Sequence, residues 1–307
     1  MVFKKYKFYK DEKGNMLLLF SFFIMVFIAV SGLVIDAGIL YKTKGELRRT
    51  ANAAVLSGAQ ELTNSDSAVT TVVQDILKAD GEEGSFKELL IRPDGGNKLK
   101  ITLEKDVPLH FMKLFKMNSV TINSSASAVI TPMTIEAGTV PLGIDKNTPL
   151  EYMKEYKLKV DAGDSTSGNF GVLALSGTGG NLYEQDLMYG YKGELQIGDI
   201  IPTQTGNVDG KTRNGVNYRI SSSPYIVDDY SHRDDPRVIL ILVYEPYEIT
   251  TNQLKAVRVC GFAYFYLKAP MSNQDSEITG YFIQRVGVGT GDVNAQDNGA
   301  YAIRLVE

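Results

Sequence analysis

The sequence predicts an α+β fold in which a long N-terminal helix precedes a chain built mostly of strands. Residues 16–35 form an uninterrupted apolar run, and a helical pattern continues through residues 36–62 without a proline. From residue 132 to 307, short apolar runs alternate with turns rich in Gly, Asn and Asp, which predicts a β-sandwich or a partly open barrel. The pattern does not distinguish between these two.

The composition limits the classes of function that the chain can have. The 307 residues include 32 basic and 36 acidic side chains, and the resulting net charge of −4 argues against nucleic acid as the main partner. With 1 cysteine and 2 histidines, the chain cannot build a disulfide framework or a Cys-based metal cage. These counts favour a structural or binding protein, without a cofactor, over an enzyme.

The apolar run has the length of a membrane span. At about 1.5 Å per residue, a helix over residues 16–35 covers about 30 Å, which is the thickness of a bilayer's hydrocarbon core. Lysines are frequent in residues 1–15, which predicts a cytoplasmic tail, and a long downstream region is expected outside. We therefore predict a single-pass protein of the cell membrane with extracytoplasmic C-terminal domains.

Two other interpretations of this run are open. A cleaved signal peptide is one, because Ala29-Val30-Ser31 has the small residues that a signal peptidase requires after a basic region. Against it, the run is longer than the apolar part of most signal peptides, and the helical pattern continues beyond the site. The core helix of a soluble protein is the other interpretation, which the preceding lysines disfavour.

The second part of the predicted helix has a face of mostly small side chains. Leu40, Leu47, Ala51, Ala54 and Gly58 are spaced by 7, 4, 3 and 4 residues, so they share one side of the helix. Small side chains let another backbone approach closely. We predict that this packing face contacts a partner protein, but packing against the chain's own extracytoplasmic part fits the same spacing.

The N-terminal sequence resembles that of a known family. Lys13-Gly14-Asn15 precedes the apolar run, which ends in Gly32-Leu33-Val34-Ile35-Asp36-Ala37-Gly38, and an alanine-rich stretch follows at 47–59. These features are similar to the N-terminal segment of TadE/TadG-like proteins of the Flp, or tight-adherence, pilus-assembly system. The aspartate that usually precedes the alanine pair is Asn52 here.

The resemblance implies a membrane-anchored structural or assembly role in Flp-type pilus biogenesis, with pilin-like or pilus-assembly proteins as partners of the N-terminal helix. A prepilin peptidase site at Gly14 would place a glutamate five residues later, where this chain has Leu19. We therefore expect an uncleaved anchor. Some larger relatives carry a metal motif of the form Asp-x-Ser-x-Ser, and the nearest string, at 161–168, does not fit it.

The region after the helix divides into two predicted parts. Residues 36–131 are expected to form a membrane-proximal α+β module, and the order of its elements also resembles the TadE/TadG-like module. Residues 132–307 are expected to form a separate β-rich domain. The candidate boundary between the two is Thr131-Pro132. In the first part we predict a helix from Asn64 or Ser65 to Gly81, strands at 98–104 and 120–130, and a short helix at 108–115. In the second part we predict strands at 158–160, 170–175, 216–220, 238–244, 257–267, 278–288 and 300–306.

Few residues in the sequence are candidates for catalysis or for the binding of a metal or a nucleotide. The stretch 228–235 has four aspartates and His232, which could bind calcium, although a solvated loop explains them as well. The glycines at 177–180 start like a dinucleotide loop but lack its third glycine and a predicted following helix, and those at 287–291 fail similarly. His110 is expected to be a packed or a surface histidine, and Cys260 is expected to be an inert packing residue. The alternative function is a surface-binding module, assisted by calcium at 228–235.

Overall fold

The computed structural model describes residues 15–159, 170–204, 208–230, 232–250 and 253–306. The predicted cytoplasmic tail lies outside these residues except for Asn15, and so does the string 161–168. Within the described ranges, the helices are α1 (Asn15–Ala59), α2 (Asp66–Ala79), α3 (Gly180–Tyr189) and α4 (Asp209–Ser222). In the same ranges, short 3₁₀ turns lie at Glu83–Ser85, Pro93–Gly95 and Met112–Phe115.

The strands follow the predicted α+β class. They are β1 (Phe86–Ile91), β2 (Lys98–Pro108), β3 (Ser119–Glu136), β4 (Thr139–Asp145), β5 (Glu155–Lys159), β6 (Phe170–Val172), β7 (Leu195–Gln196), β8 (Ile200–Pro202), β9 (Val238–Thr250), β10 (Gln253–Leu267), β11 (Glu277–Ile283), β12 (Arg285–Gly287), β13 (Thr290–Gly291) and β14 (Ala300–Val306).

Two sheets contain these strands. In the described residues, the first has the order β1-β2-β3-β14-β12, with β7 and β13 also paired to β3. The second has the order β5-β11-β10-β9-β4-β6, with β8 paired to β10. Most neighbours are antiparallel, whereas β4 with β9 and β12 with β14 are parallel. A long apolar helix followed by a mostly β region confirms the predicted fold class.

The chain forms two compact units. Among the described residues, the first unit contains 15–54, 74–89 and 100–126, and the second contains 55–73, 90–99 and 127–306. The strand β3 runs through Thr131-Pro132, where the sequence suggested a domain boundary. The division at that point stays a prediction.

The second unit is built around β9 and β10, and its central sheet is buried on both faces. Side chains of β9 alternate: Ile239 and Ile241 join one core, whereas Leu240 and Leu242 join another. The first of these cores also contains Tyr183 of α3 and residues of α4. Burial on both faces explains why β9 is a continuous apolar run instead of an alternating one.

The membrane-proximal elements largely follow the sequence. Helix α2 begins at Asp66, directly after Ser65, and the Ser65 hydroxyl accepts a hydrogen bond from the Ala68 N–H at 3.1 Å, as predicted for a capping residue. Leu99, Ile101 and Leu103 of β2 are fully buried, which confirms the predicted alternation. The predicted short helix at 108–115 is restricted to Met112–Phe115, because β2 extends to Pro108.

Two predictions about local structure are wrong. Residues 216–220 belong to helix α4, not to a strand; Val216 is fully buried, and Asp209-Gly210, expected as a turn, starts this helix. Apolar residues at 216 and 220 satisfy a helical spacing of four as well as a strand spacing of two, so the pattern was ambiguous. A helix, α3, also follows the glycines at 177–180, where none was predicted.

Gly58 allows α1 to pack closely on its neighbours in the second unit. A Cβ atom at Gly58 would lie 2.6 Å from Cγ2 of Val73 and 2.8 Å from Cδ2 of Leu99. Such distances are shorter than any relaxed contact, so the glycine is required by packing at this point of the helix. By contrast, a Cβ atom at Gly45 of the same helix would have no neighbouring atom within 4 Å.

We expect Gly58→Ala to lower the free energy of unfolding by about 1–3 kcal/mol, because the added methyl group overpacks the contact with Val73 and Leu99. Gly45→Ala is the matched control and should be neutral or stabilise the helix by up to about 1 kcal/mol. Thermal unfolding of the full chain in detergent, followed by circular dichroism, measures both. Equal melting temperatures for the two variants would contradict the packing role of Gly58.

Candidate functional site on the N-terminal helix

The first part of α1 is apolar on all sides and is not covered by the rest of the described chain. Phe20, Phe23 and Phe27 are 67%, 62% and 73% exposed, and only 6% of the most apolar 18-residue window is buried. The hydroxyl of Ser21 donates to the carbonyl of Leu18 at 2.9 Å, so this polar group is satisfied within the helix. By length and composition, α1 is able to cross a membrane.

Asp36 is the first charged residue after this run, and it is buried. Its Oδ1 atom accepts a hydrogen bond from the His110 N–H at 2.9 Å. Its Oδ2 atom accepts two more, from the N–H groups of Phe111 and Met112 at 2.9 and 2.8 Å. Because one carboxylate satisfies three backbone donors at the start of a helical turn, it replaces the capping side chain that this turn otherwise lacks.

Gly32 lies one helical turn before Asp36 and makes room for the same segment. A Cβ atom at Gly32 would lie 2.3 Å from Cδ1 of Phe111, so the phenyl ring rests directly on the helix backbone. The spacing of four residues puts Gly32 and Asp36 on one side of α1. Together they bind residues 110–112 to the end of the apolar run.

The predicted packing face lies farther along α1. Leu47, Ala51 and Ala54 are fully buried, Gly58 contacts Val73 and Leu99, and Leu40 is only partly buried. In this structure the chain's own residues therefore cover most of the face. Contact of the face with a partner protein stays a prediction. Among the five residues of the face, Leu40 is the one whose side chain a partner could still reach.

Comparison with known families finds a match on this helix. Residues 14–61 match the family model described as TadE/G-like Flp pilus-assembly. We refer to residues 14–61 as the Tad segment, after the family that they resemble. It contains Gly32, Asp36 and the whole packing face, and it confirms the resemblance seen in the sequence. No curated protein and no solved structure matches the chain.

The match supports a role in pilus assembly for the Tad segment at the level of the family. The TadE/G-like family is one of pilus assembly, and its model covers α1 and the two residues after it. The sequence pattern did not predict the contacts of Asp36 and Gly32 with residues 110–112. A single carboxylate directly after 20 uncharged residues was the signal that could have indicated a buried partner.

The carboxylates at 228–235 are bonded to donors of the chain. The Asp228 carboxylate accepts from the Tyr230 hydroxyl at 3.1 Å, and Asp234 accepts from the Tyr225 hydroxyl at 2.7 Å. Asp235 forms a buried ion pair with Arg237 at 2.9 Å. Burial acts to raise the pKa of Asp235, but the hydrogen bonds from Arg237 outweigh it and lower the pKa. Among the described residues, no group of three His, Cys, Asp or Glu side chains could hold a metal ion.

The glycines at 177–180 precede helix α3, yet the surrounding topology differs from a dinucleotide fold. The preceding strand β6 is antiparallel to β4, whereas a dinucleotide site lies in a parallel β-α-β unit. The Gly179 N–H donates to the side-chain oxygen of Gln204 at 3.2 Å. Gly177 and Gly179 have φ values of 109° and 145°, so both positions require glycine for backbone reasons.

A cysteine and an outer cavity are further features of the second unit. Burial raises the pKa of the Cys260 thiol, which keeps it protonated at neutral pH and agrees with a packing role. A cavity of about 400 Å³ is open to solvent and is lined mainly by polar side chains, among them Lys146, Asn147, Gln284 and Asp297.

We expect Asp36→Ala to release the segment that Asp36 binds. The amides of His110, Phe111 and Met112 should exchange with solvent about tenfold faster or more, because their N–H groups lose a fixed acceptor. Hydrogen–deuterium exchange with mass spectrometry on the full chain measures this. The control is Glu46→Gln, at an exposed carboxylate of α1 whose ion pair with Lys42 spans 3.7 Å. Unchanged exchange at 110–112 in Asp36→Ala would refute the capping role.

Proposed function

We propose that this protein is a membrane-anchored structural component of Flp-type pilus assembly. The observation that carries the proposal is the coincidence of two properties in α1. Residues 14–61 match the TadE/G-like family model, and the first part of the same helix exposes apolar side chains that no other described residue covers. Such a surface is compatible with a lipid bilayer and not with water.

The proposed topology follows from the charges beside the apolar run. Residues 1–15 are rich in lysine and stay in the cytoplasm, whereas the long region after residue 35 is extracytoplasmic. In this arrangement residues 16–35 cross the membrane once. Residues 36–131 and 132–307 are the membrane-proximal module and the β-rich domain of the proposal, and neither acts as an enzyme.

The proposed partner is a pilin-like or pilus-assembly protein that contacts α1. The accessible parts of the helix include the apolar run, the partly buried Leu40 and the neighbouring Tyr41, which is 84% exposed. The deeper residues of the packing face already stabilise the chain's own fold. We therefore propose that a partner helix lies along residues 16–41 and that the packing face sets the direction in which α1 leaves the membrane.

We expect the photoreactive residue p-benzoylphenylalanine to form covalent adducts with a pilus-assembly protein when it replaces Phe27 or Tyr41. Tyr247 of β9, which is 49% exposed, provides the control position and should give no such adduct. The experiment uses native membranes, and mass spectrometry identifies the captured protein. Adducts with lipid alone, or the same proteins from all three positions, would contradict the proposed partner.

Membrane anchoring is tested separately. The full chain should remain in the membrane fraction after extraction at alkaline pH, which removes peripheral proteins. Its intact mass should be that of the uncleaved chain. A soluble protein whose mass begins at Gly32 would instead support the alternative of a secreted binding module, for which the polar cavity beside Lys146 and Asp297 is the structural support.

A further inference from the structure

The turn between β2 and β3 has an exposed apolar tip. Within residues 109–118, Leu114, Phe115 and Met117 are 81%, 61% and 45% exposed. Lys113 lies directly before them, Lys116 lies between Phe115 and Met117, and both lysines are exposed as well. Three large apolar side chains on five consecutive positions are unusual on a surface that only water contacts.

Backbone hydrogen bonds hold this tip in a defined shape. The N–H of Leu109 donates to the carbonyl of Asn118 at 2.9 Å and closes the turn at its base. The N–H of Met117 donates to the carbonyl of Met112 at 3.2 Å, and that of Lys116 to Lys113 at 3.0 Å. The apolar side chains are therefore presented by an ordered turn, and their exposure does not result from a loose loop.

The turn is bound to α1 at the end of the apolar run. Asp36 accepts hydrogen bonds from the N–H groups of residues 110–112, and the ring of Phe111 rests on Gly32. Both contacts lie within the first unit. The exposed tip follows Met112 directly, so it lies close to the level at which α1 changes from apolar to charged.

We propose that the tip, residues 113–117, inserts into the interface of the lipid bilayer that α1 crosses. The proposal rests on the proposed function, because it requires residues 16–35 to span that bilayer. The last turn of the span then lies at the boundary between acyl chains and headgroups, and the turn is bound at that same level. Leu114, Phe115 and Met117 enter the acyl boundary.

The charges of the tip match this occupant. The ammonium groups of Lys113 and Lys116 reach the lipid phosphates while their alkyl stems stay in the apolar layer. Amphipathic elements with lysines beside large apolar residues bind membrane interfaces in this way. The tip contains no acidic residue that would repel phosphate. With α1 and the tip both in the bilayer, the membrane-proximal unit cannot rotate freely about the helix axis.

The chain contains no tryptophan, which makes a direct test possible. Phe115→Trp places the only tryptophan at the tip of the turn. Phe23→Trp places it in the proposed span. Phe86→Trp is the matched control in β1 of the same unit, at a position far from the tip. The neighbouring Lys87 pairs with Glu104 of β2, and about 16 Å of strand separates Glu104 from Leu109 at the base of the turn. Each full-length variant is reconstituted into vesicles of phosphatidylcholine and phosphatidylglycerol, with or without bromine on the acyl chains.

We expect the emission of Phe115→Trp to shift to shorter wavelength in the vesicles and to fall about twofold with brominated lipid. Phe23→Trp should be quenched at least as strongly, and Phe86→Trp should not be quenched. A quenched Phe23→Trp with an unquenched Phe115→Trp would overturn the insertion of the tip and leave the anchor intact. An unquenched Phe23→Trp would overturn the anchor itself.

A shift of Phe115→Trp without quenching would also overturn the proposal, because it would show that protein covers the tip. Replacement of both lysines, in Lys113→Gln/Lys116→Gln on the Phe115→Trp background, gives a second readout. We expect the quenching to weaken in this variant and to depend no longer on the proportion of the anionic phosphatidylglycerol in the vesicles. Dependence on phosphatidylglycerol that persists without these lysines would contradict their role.

Discussion

The carboxylate of Asp36 determines how the first unit is organised around α1. A charged group at the end of a 20-residue apolar run is costly to bury unless its oxygens are hydrogen-bonded. Its partners are three backbone amides that lie 74 to 76 residues later in the chain. Because the amides belong to the turn between β2 and β3, this one interaction sets where β2 ends and β3 begins relative to the helix. Gly32 adds the space that the turn needs.

Helix α1 combines two surfaces that have different requirements. Its first part is apolar all round and exposed, whereas the fully buried residues Leu47, Ala51 and Ala54 belong to a folded core. A single 45-residue helix therefore joins a segment suited to lipid with a segment that stabilises the protein. At about 1.5 Å per residue this helix is about 68 Å long, more than twice the thickness of a hydrocarbon core. The proposed assembly role would use this geometry, since the helix that is proposed to anchor the protein in the membrane also packs into its folded part.

Local sequence patterns correctly predicted those features that depend only on the spacing of residues close together in the chain. The cap at Ser65, the alternation in β2 and the strand at 300–306 were all predicted, because spacing alone defines them. The segment 216–220 failed, since five residues satisfy helical and extended periods equally well. Strand β1 had no counterpart in the prediction, because its side chains are mostly exposed and do not alternate.

The sequence by itself determined the apolar run, the Tad segment and the α+β class, because length, hydropathy and short-range spacing are properties of consecutive residues. Only the tertiary structure decided which groups meet. It placed the amides of residues 110–112 on Asp36, covered most of the packing face with the chain's own side chains, and paired Asp235 with Arg237. The partners of Asp36 are separated from it by more than seventy residues, and the cover of the packing face depends on how separate elements pack together. No local period encodes such pairs.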